Sequence, residues 1–323
     1  MKNMKKITCI CLILTAIVLT VTGCNNNEVP VIGILQYGEH ASLDNCREGF
    51  IQGLLDSGLE EGKDFNIDYQ NAGFDDAIAT QIAQTFSSKN VALMCGIATP
   101  AATACFAAAE DKDIPVVFTA VTDPVIAKLD KGNITGTSDK LPVDAQLDLI
   151  RRIQPNADTI GIIYTTSEPN SVSAIAEYQE KAPAYNFLLE VIGVSQQSEV
   201  TLAVDRLIAK GVDCFSNLTD NNVVGVLPSI LEKTNEAGIP VYGSEVEQVK
   251  LGCVAAAGID YYELGKQTGA MAAKILKGEK KASEIPYETI SEYGIYVNKD
   301  ALAKMGLTLP EDIAQKAIEV KNE

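Results

Sequence analysis

The sequence predicts an α/β protein of two similar lobes, each a mostly parallel sheet with helices on both faces, the two joined by crossover hinge strands. Three observations carry this. Residues 91–124 (VALMCGIATPAATACFAAAEDKDIPVVFTAVTDP) and 212–249 (VDCFSNLTDNNVVGVLPSILEKTNEAGIPVYGSEVEQV) each read as an apolar strand, a polar turn, an Ala- or Leu-rich helix, an Ile-Pro start and a second apolar strand. That is one βαβ unit written twice. The strand and turn TIGIIYTTSEPNS (159–171) restart the pattern of VIGILQYGEHAS (31–42). A length of 323 residues suits two moderate domains, each with its own core.

Taken in order, VPVIGILQYG (29–38) is an apolar strand with a polar end, and 42–62 is a helix with Ser42 or Asp44 as its cap. Residues 65–73 form a strand and 75–89 a helix before the first βαβ copy. NITGTSD (133–139) is a short strand leaving the first lobe, and 141–155 is a helix opened by Pro142 and closed before Pro155. The second lobe repeats the scheme: strand from 159, helix 171–185, strand 186–194, helix 198–211, then the second copy. GCVAAAGID (252–260) is a last strand, and 261–279 a helix with small residues along one face. The tail reads as an extended piece over 286–306 and a short helix from Pro310. Strands alternating so regularly with helices signify right-handed βαβ stacking.

The first 24 residues, MKNMKKITCICLILTAIVLTVTGC, combine a basic start, an apolar run from Ile7 to Val21 too short for a membrane span, and small residues before a cysteine. They read as an export signal. Val21-Thr22-Gly23-Cys24, followed by three asparagines, resembles a bacterial lipobox, which makes Cys24 the lipidated first residue of the mature chain. Removing residues 1–23 takes away three lysines and no acid, so the formal charge deepens from −17 to −20. Such a surface repels phosphate backbones and argues against nucleic-acid partners. Cys46, Cys95, Cys105, Cys214 and Cys253 are odd in number and lack a Cys-x-x-Cys pair. Buried free thiols fit them better than a disulfide framework. A single histidine, His40, leaves poor prospects for zinc, and no metal or cofactor is expected.

The two lobes place similar loops face to face. In open parallel sheets, ligands collect at the carboxyl ends of strands, where helix N-termini offer unpaired N–H groups. Sliding one βαβ copy on the other sets Thr99 against Asp220, and Thr119-Ala120 against Ser244-Glu245. A cleft with hydroxyls and N–H groups on one lip and carboxylates on the other is the expectation.

GILQYGEHASLD (33–44), ATPAA (98–102), FTAVTDP (118–124), NITGTSD (133–139), YTTSEPNS (164–171), PVYGSE (240–245) and GIDYYELGKQTGAMAAKIL (258–276) cover the mature chain in order. With the signal and lipobox they resemble the substrate-binding lipoproteins of ABC importers, of type I periplasmic-binding-protein fold. The similarity is greatest to tryptophan- and tyrosine-binding lipoproteins of Gram-positive bacteria. The resemblance implies a monomer, lipid-anchored on the outer face of the cell membrane, that closes on one small solute and delivers it to a permease driven by a separate ATPase. It implies a signal at 1–23, a tether at 24–29, a first lobe of 30–136 plus 259–282, and a second of 137–258 plus 283–323.

For an amino-acid ligand the carboxylate wants N–H and hydroxyl donors and the ammonium wants carboxylate oxygens. Thr99, Pro100, Thr119 and Ala120 supply the donor turns, and Ser42, beside Leu43, either adds a hydroxyl or caps its own helix. Asp220 and Glu245, with Asn221 and Ser244 beside them, form the acidic lip, although either acid alone is also an ordinary cap. Asp123 is a contact or a turn cap, and Asp260 a contact or a hinge residue. In the loop that faces Gln36–Ser42, Ser167, Asn170 and Ser171 are candidates, Ser171 being a helix cap otherwise. Gln36, Tyr37 and His40, with Phe74 or Tyr242, offer a wall or a donor, or plain core. Only four arginines remain in the mature chain, which disfavours a ligand with a second carboxylate. The solute is therefore expected to be a neutral amino acid, tryptophan or tyrosine by resemblance. A branched-chain amino acid, a purine nucleoside or another small neutral solute is the alternative, as is a ligand-sensing receptor lobe, which would need a signalling segment. No G-x-S-x-G, Walker loop, H-E-x-x-H or G-x-G-x-x-G is present, so an enzyme is not expected.

Overall fold

The computed structural model describes residues 29–290 and 293–321; the stretch read from sequence as an export signal, and Cys24, lie outside the described residues. The first lobe begins with β1 (Val31–Gln36), α1 (Ala41–Asp56), β2 (Asn66–Asn71), α2 (Asp76–Ser88), β3 (Leu93–Ile97), α3 (Thr99–Ala109), β4 (Val116–Thr119) and β5 (Ile134–Ser138). These strands stand parallel in the order β2-β1-β3-β4-β5. The order reverses between β1 and β3, which opens a crevice at their carboxyl ends. Strands β1, β3 and β4 are buried almost throughout and read as near-continuous apolar runs rather than alternating ones, while β5 is equally buried but largely polar (ITGTS).

The second lobe follows with α4 (Val143–Ile153), β6 (Thr159–Thr165), α5 (Pro169–Lys181), β7 (Leu188–Val194), α6 (Val200–Lys210), β8 (Cys214–Ser216), α7 (Asn221–Val224), α8 (Leu227–Ala237), β9 (Val241–Tyr242) and α9 (Val246–Leu251). Its parallel sheet repeats the first lobe's order, β7-β6-β8-β9. β10 (Ala255–Gly258) lies beside β9 through the Val254 N–H to Val241 carbonyl bond. The chain then returns to the first lobe as α10 (Tyr261–Leu276) and β11 (Glu288–Thr289), the latter pairing with β5. It goes back as β12 (Gly294–Val297), antiparallel to β10, followed by α11 (Lys299–Lys304), α12 (Glu311–Ala314) and β13 (Ile318–Glu319).

Two details differ from the sequence reading. Residues 283–290 stay with the first lobe, because β11 completes its sheet and Tyr287 and Ile290 pack on its core. The tail taken as extended over 286–306 contains α11, whose cap is set by the Asn298 side chain accepting from the Ala301 N–H.

Helices α1 and α10 cross in backbone contact. A Cβ on Gly49 would lie 2.0 Å from the Tyr262 carbonyl oxygen, and one on Gly269 2.2 Å from that of Phe50. The close approach fixes the start of α1 against the start of α10, and both starts open on the space between the lobes.

Candidate functional site

Between the lobes lies an enclosed cavity with about 10 Å³ of free space, little more than one water. His40, Ser42, Leu43, Ala120, Asp139 and Tyr261 line it from the first lobe side, and Asn170, Thr219, Asn221, Val224, Glu245 and Gln248 from the second. The lobes are locked together around it. The Ser42 hydroxyl donates to Glu245 Oε1 at 3.0 Å, Asn45 Nδ2 to Glu247 Oε1 at 2.6 Å, and Ser173 Oγ to Asp123 Oδ2 at 3.2 Å. Thr122 and Thr219 meet through their hydroxyls at 3.2 Å. A solute enters only when the lobes part.

Each side chain is positioned by where its element begins. Glu245 caps α9, accepting from the N–H groups of Glu247 and Gln248, so the end of β9 drives it into the cavity wall. Burial, and the Glu247 carboxyl beside it, push its pKa well above the ordinary carboxylate range. Asp139 follows β5 and accepts from Thr122 Oγ1 at 2.9 Å and from the Tyr261 hydroxyl. Burial raises its pKa as well. Two buried carboxyls thus face one cavity from opposite lobes, and among the described residues no Lys or Arg lines it. A buried acid without a cation is costly, and a ligand ammonium would relieve both.

His40 completes the other wall. Both ring nitrogens are buried without a hydrogen bond of good geometry, Asn221 being the nearest polar neighbour, and the ring stacks on Phe74 at 6.3 Å with 5° between planes. Burial lowers its pKa to about 4, so the imidazole is neutral at physiological pH. Beside this wall Ala98 and Ala120 hold φ values of 78° and 57°, a left-handed backbone that costs alanine about 1–3 kcal/mol each. The strain places the turns after β3 and β4 at the cleft.

Of the residues singled out from sequence, His40, Ser42, Leu43, Ala120, Asn170, Asn221 and Glu245 meet in the cavity. Helix α1 starts at Ala41 with His40 as the capping residue, one or more positions earlier than expected, so Ser42 is free to reach across to Glu245. The others are engaged elsewhere. Asp220 accepts from the Thr165 N–H and hydroxyl, Ser171 Oγ and the Val223 N–H, so it braces its own lobe. Thr119 Oγ1 turns down to Thr137 and Cys46, and Thr99 Oγ1 is buried without a partner and outside the cavity lining. Gln36 braces the strand-end loop through Gly38, Asp44 and Arg47. Asp260 caps α10 and Asp123 caps the turn at Val125, while Ser244 bonds the Gln248 side chain. Tyr37, Pro100 and Ser167 line a separate groove of about 390 Å³ at the cleft rim. Tyr242 is buried in the second lobe's core.

Asp139, Thr219, Gln248 and Tyr261 join the site without having been singled out. Asp139 and Thr219 had the same signal as the candidates, a polar residue just after a strand. Glu168 was also passed over. Its carboxyl gathers N–H groups of Asn170, Asn221 and Asn222. Burial and the charge of Asp220 push it up to about 8.

Two wound lobes closing on a polar chamber, with the chain passing repeatedly between them, define a bilobal solute-binding protein of the type I periplasmic-binding-protein fold. Residues 31–321 match the family model of ABC transporter substrate binding proteins, and the chain belongs to that family, whose role is binding rather than catalysis. It is 40% identical over 282 residues to a tyrosine-binding protein of Clostridioides difficile, covering 85% of this chain and 81% of that one. A Streptococcus pneumoniae ABC domain solved in complex with L-Trp is 31% identical and superposes with a TM-score of 0.86, covering 91% of this chain and all of that one. A ligand-free, open substrate-binding protein from Clostridium difficile is 37% identical over the same shares but superposes at only 0.67. The chain, with its lobes together, thus superposes better on the L-Trp complex than on the open, ligand-free relative of higher identity.

Proposed function

We propose that this chain is the extracytoplasmic receptor of an ABC importer, lipid-anchored at Cys24, and that it captures a neutral aromatic L-amino acid, tryptophan or tyrosine, between its lobes. The observation that carries the reading is the pair of buried carboxyls, Asp139 and Glu245, facing one cavity from opposite lobes with no cation beside them. An ammonium supplies the missing charge and ties the lobes together, so closure is coupled to capture. The absence of Lys and Arg from the lining disfavours ligands with a second acid group. The relative named for tyrosine and the neighbour holding L-Trp support an aromatic side chain. A permease and its ATPase are the partners this reading requires, and the anchored chain works as a monomer. A calorimetric screen of the twenty amino acids and the common nucleosides tests it. The chain contains no Trp, so bound tryptophan is read directly from its own emission. Binding of tryptophan or tyrosine is expected, and binding of nucleosides alone would overturn the reading.

A further inference from the structure

We propose that the ligand's α-carboxylate docks on the N-terminus of α1, with the imidazole of His40 as its one side-chain donor. The inference rests on the amino-acid reading above and assigns one end of that ligand to a place in the cavity.

Helix α1 is 16 residues long and its capping residue, His40, makes no side-chain cap. Among the described residues, no acceptor is found for the N–H groups of Ala41, Ser42 and Leu43. A helix leaves these first-turn donors open, and its dipole favours an anion there. Capping residues that satisfy such donors are Ser, Thr, Asp and Asn, and a histidine whose ring turns away leaves them for something else. The ring turns into the cavity, which Ser42 and Leu43 also line. Both its nitrogens are buried without a hydrogen bond of good geometry, with Asn221 nearby, although a neutral imidazole has one N–H to give and one lone pair to fill. Stacking on Phe74 holds the ring in place.

The opposite wall has the complementary chemistry. Asn170 Oδ1 is a buried acceptor without a partner, its amide nitrogen being spent on Glu168 and the Thr219 carbonyl. With the Glu245 carboxyl, which lines the cavity from the same lobe, it forms a surface suited to an ammonium. Open donors therefore gather at the start of α1, while the open Asn170 Oδ1 and the Glu245 carboxyl stand on the other lobe, which orients a zwitterion in one direction. The hydroxyls expected to hold the carboxylate are not placed for it: Thr119 is turned into the core, Ser42 Oγ is given to Glu245, and Thr99 lies outside the cavity lining.

His40 is the only histidine of the chain, so ¹⁵N-histidine labelling of the untagged protein yields one imidazole to follow. Saturation with L-tyrosine or L-tryptophan is expected to shift the ring nitrogen signals of His40 as its N–H gains an acceptor. Tyramine and tryptamine, which lack the carboxylate, should leave the N–H nitrogen close to its free position. In calorimetry, His40→Phe keeps the stack on Phe74 and removes both nitrogens. It should weaken the two amino acids at least tenfold while changing the two amines less than threefold. Unmoved ring signals at saturation, or amino-acid affinity within threefold in His40→Phe, would overturn the inference and leave the amino-acid reading intact. Failure of the wild-type protein to bind any amino acid would instead remove that reading, and this one with it. The spectroscopic test needs no variant, so it stands if His40→Phe folds poorly.

Discussion

Replacing Glu245 with glutamine tests the central electrostatic claim with little steric change. The variant keeps one side-chain oxygen to accept from Ser42 and the Gln248 N–H, and removes the charge together with the oxygen that accepts from the Glu247 N–H. An ammonium about 4 Å from a carboxylate in surroundings of effective dielectric about 20 gains about 4 kcal/mol. Part of this is offset by the cost of keeping Glu245 ionised where burial raises its pKa. Truncated buried charge pairs lose about 2–5 kcal/mol, so a loss near 2–4 kcal/mol is expected, roughly 30- to 1,000-fold in Kd. The pKa also fixes the sign of a proton effect. An acid held above its usual pKa binds a proton in the empty site and gives it up to a cationic ligand. Affinity should rise with pH through that pKa, and titrations in buffers of different ionisation enthalpy should show proton release on binding. Isothermal calorimetry reads both quantities. The exposed Glu263→Gln serves as control and should change Kd less than twofold. Affinity of Glu245→Gln within threefold of wild type would refute the claim that this carboxyl meets an ammonium.

Asn45→Ala removes the 2.6 Å bond to Glu247 that exists only when the lobes are together, and should weaken binding about 5- to 30-fold, mostly through faster release seen in stopped-flow displacement. Gly269→Ala forces a Cβ to within 2.2 Å of the Phe50 carbonyl oxygen and should cost about 2–3 kcal/mol in chemical denaturation, because backbone on both sides has to move. Between about pH 6.5 and 8 the thermal midpoint should fall. Glu168, raised from 4.5 to about 8, holds a proton in the fold that the unfolded chain has released, so its contribution is full at low pH and lost as pH climbs to 8. His40, lowered from 6.5 to about 4, acts oppositely and only below 6.5, where the two slopes offset one another. Glu168→Gln should flatten the alkaline decline.

The alternation of strands and helices was legible because the central strands are buried on both faces and the helices that cover them mostly on one, so the periodicity of the chain reports its own layer. The duplication was legible for the same reason, and the β3–α3 and β8–α7 turns hold the same place in the strand order of their lobes. Which polar residue at a strand end faces the cleft was not. Asp220 and Glu245 look alike in sequence, each an acid after a strand and before a helix. Asp220 is saturated by Thr165, Ser171 and Val223, whereas Glu245 reaches the other lobe. Asp139 follows a strand just as visibly, but only the return of the chain as α10 brings Tyr261 beside it.

Local sequence thus determined the two wound lobes, the strand-to-helix turns that ring the cleft, and the scarcity of arginine that disfavours diacids. The tertiary structure alone decided which donors and acceptors remain unspent. Whether a hydroxyl or carboxyl has a partner depends on residues up to 203 positions away, as between Ser42 and Glu245, and on how far one lobe has turned toward the other. Hydrogen-bond capacity is exhausted pair by pair in three dimensions, and a binding site consists of what is left over.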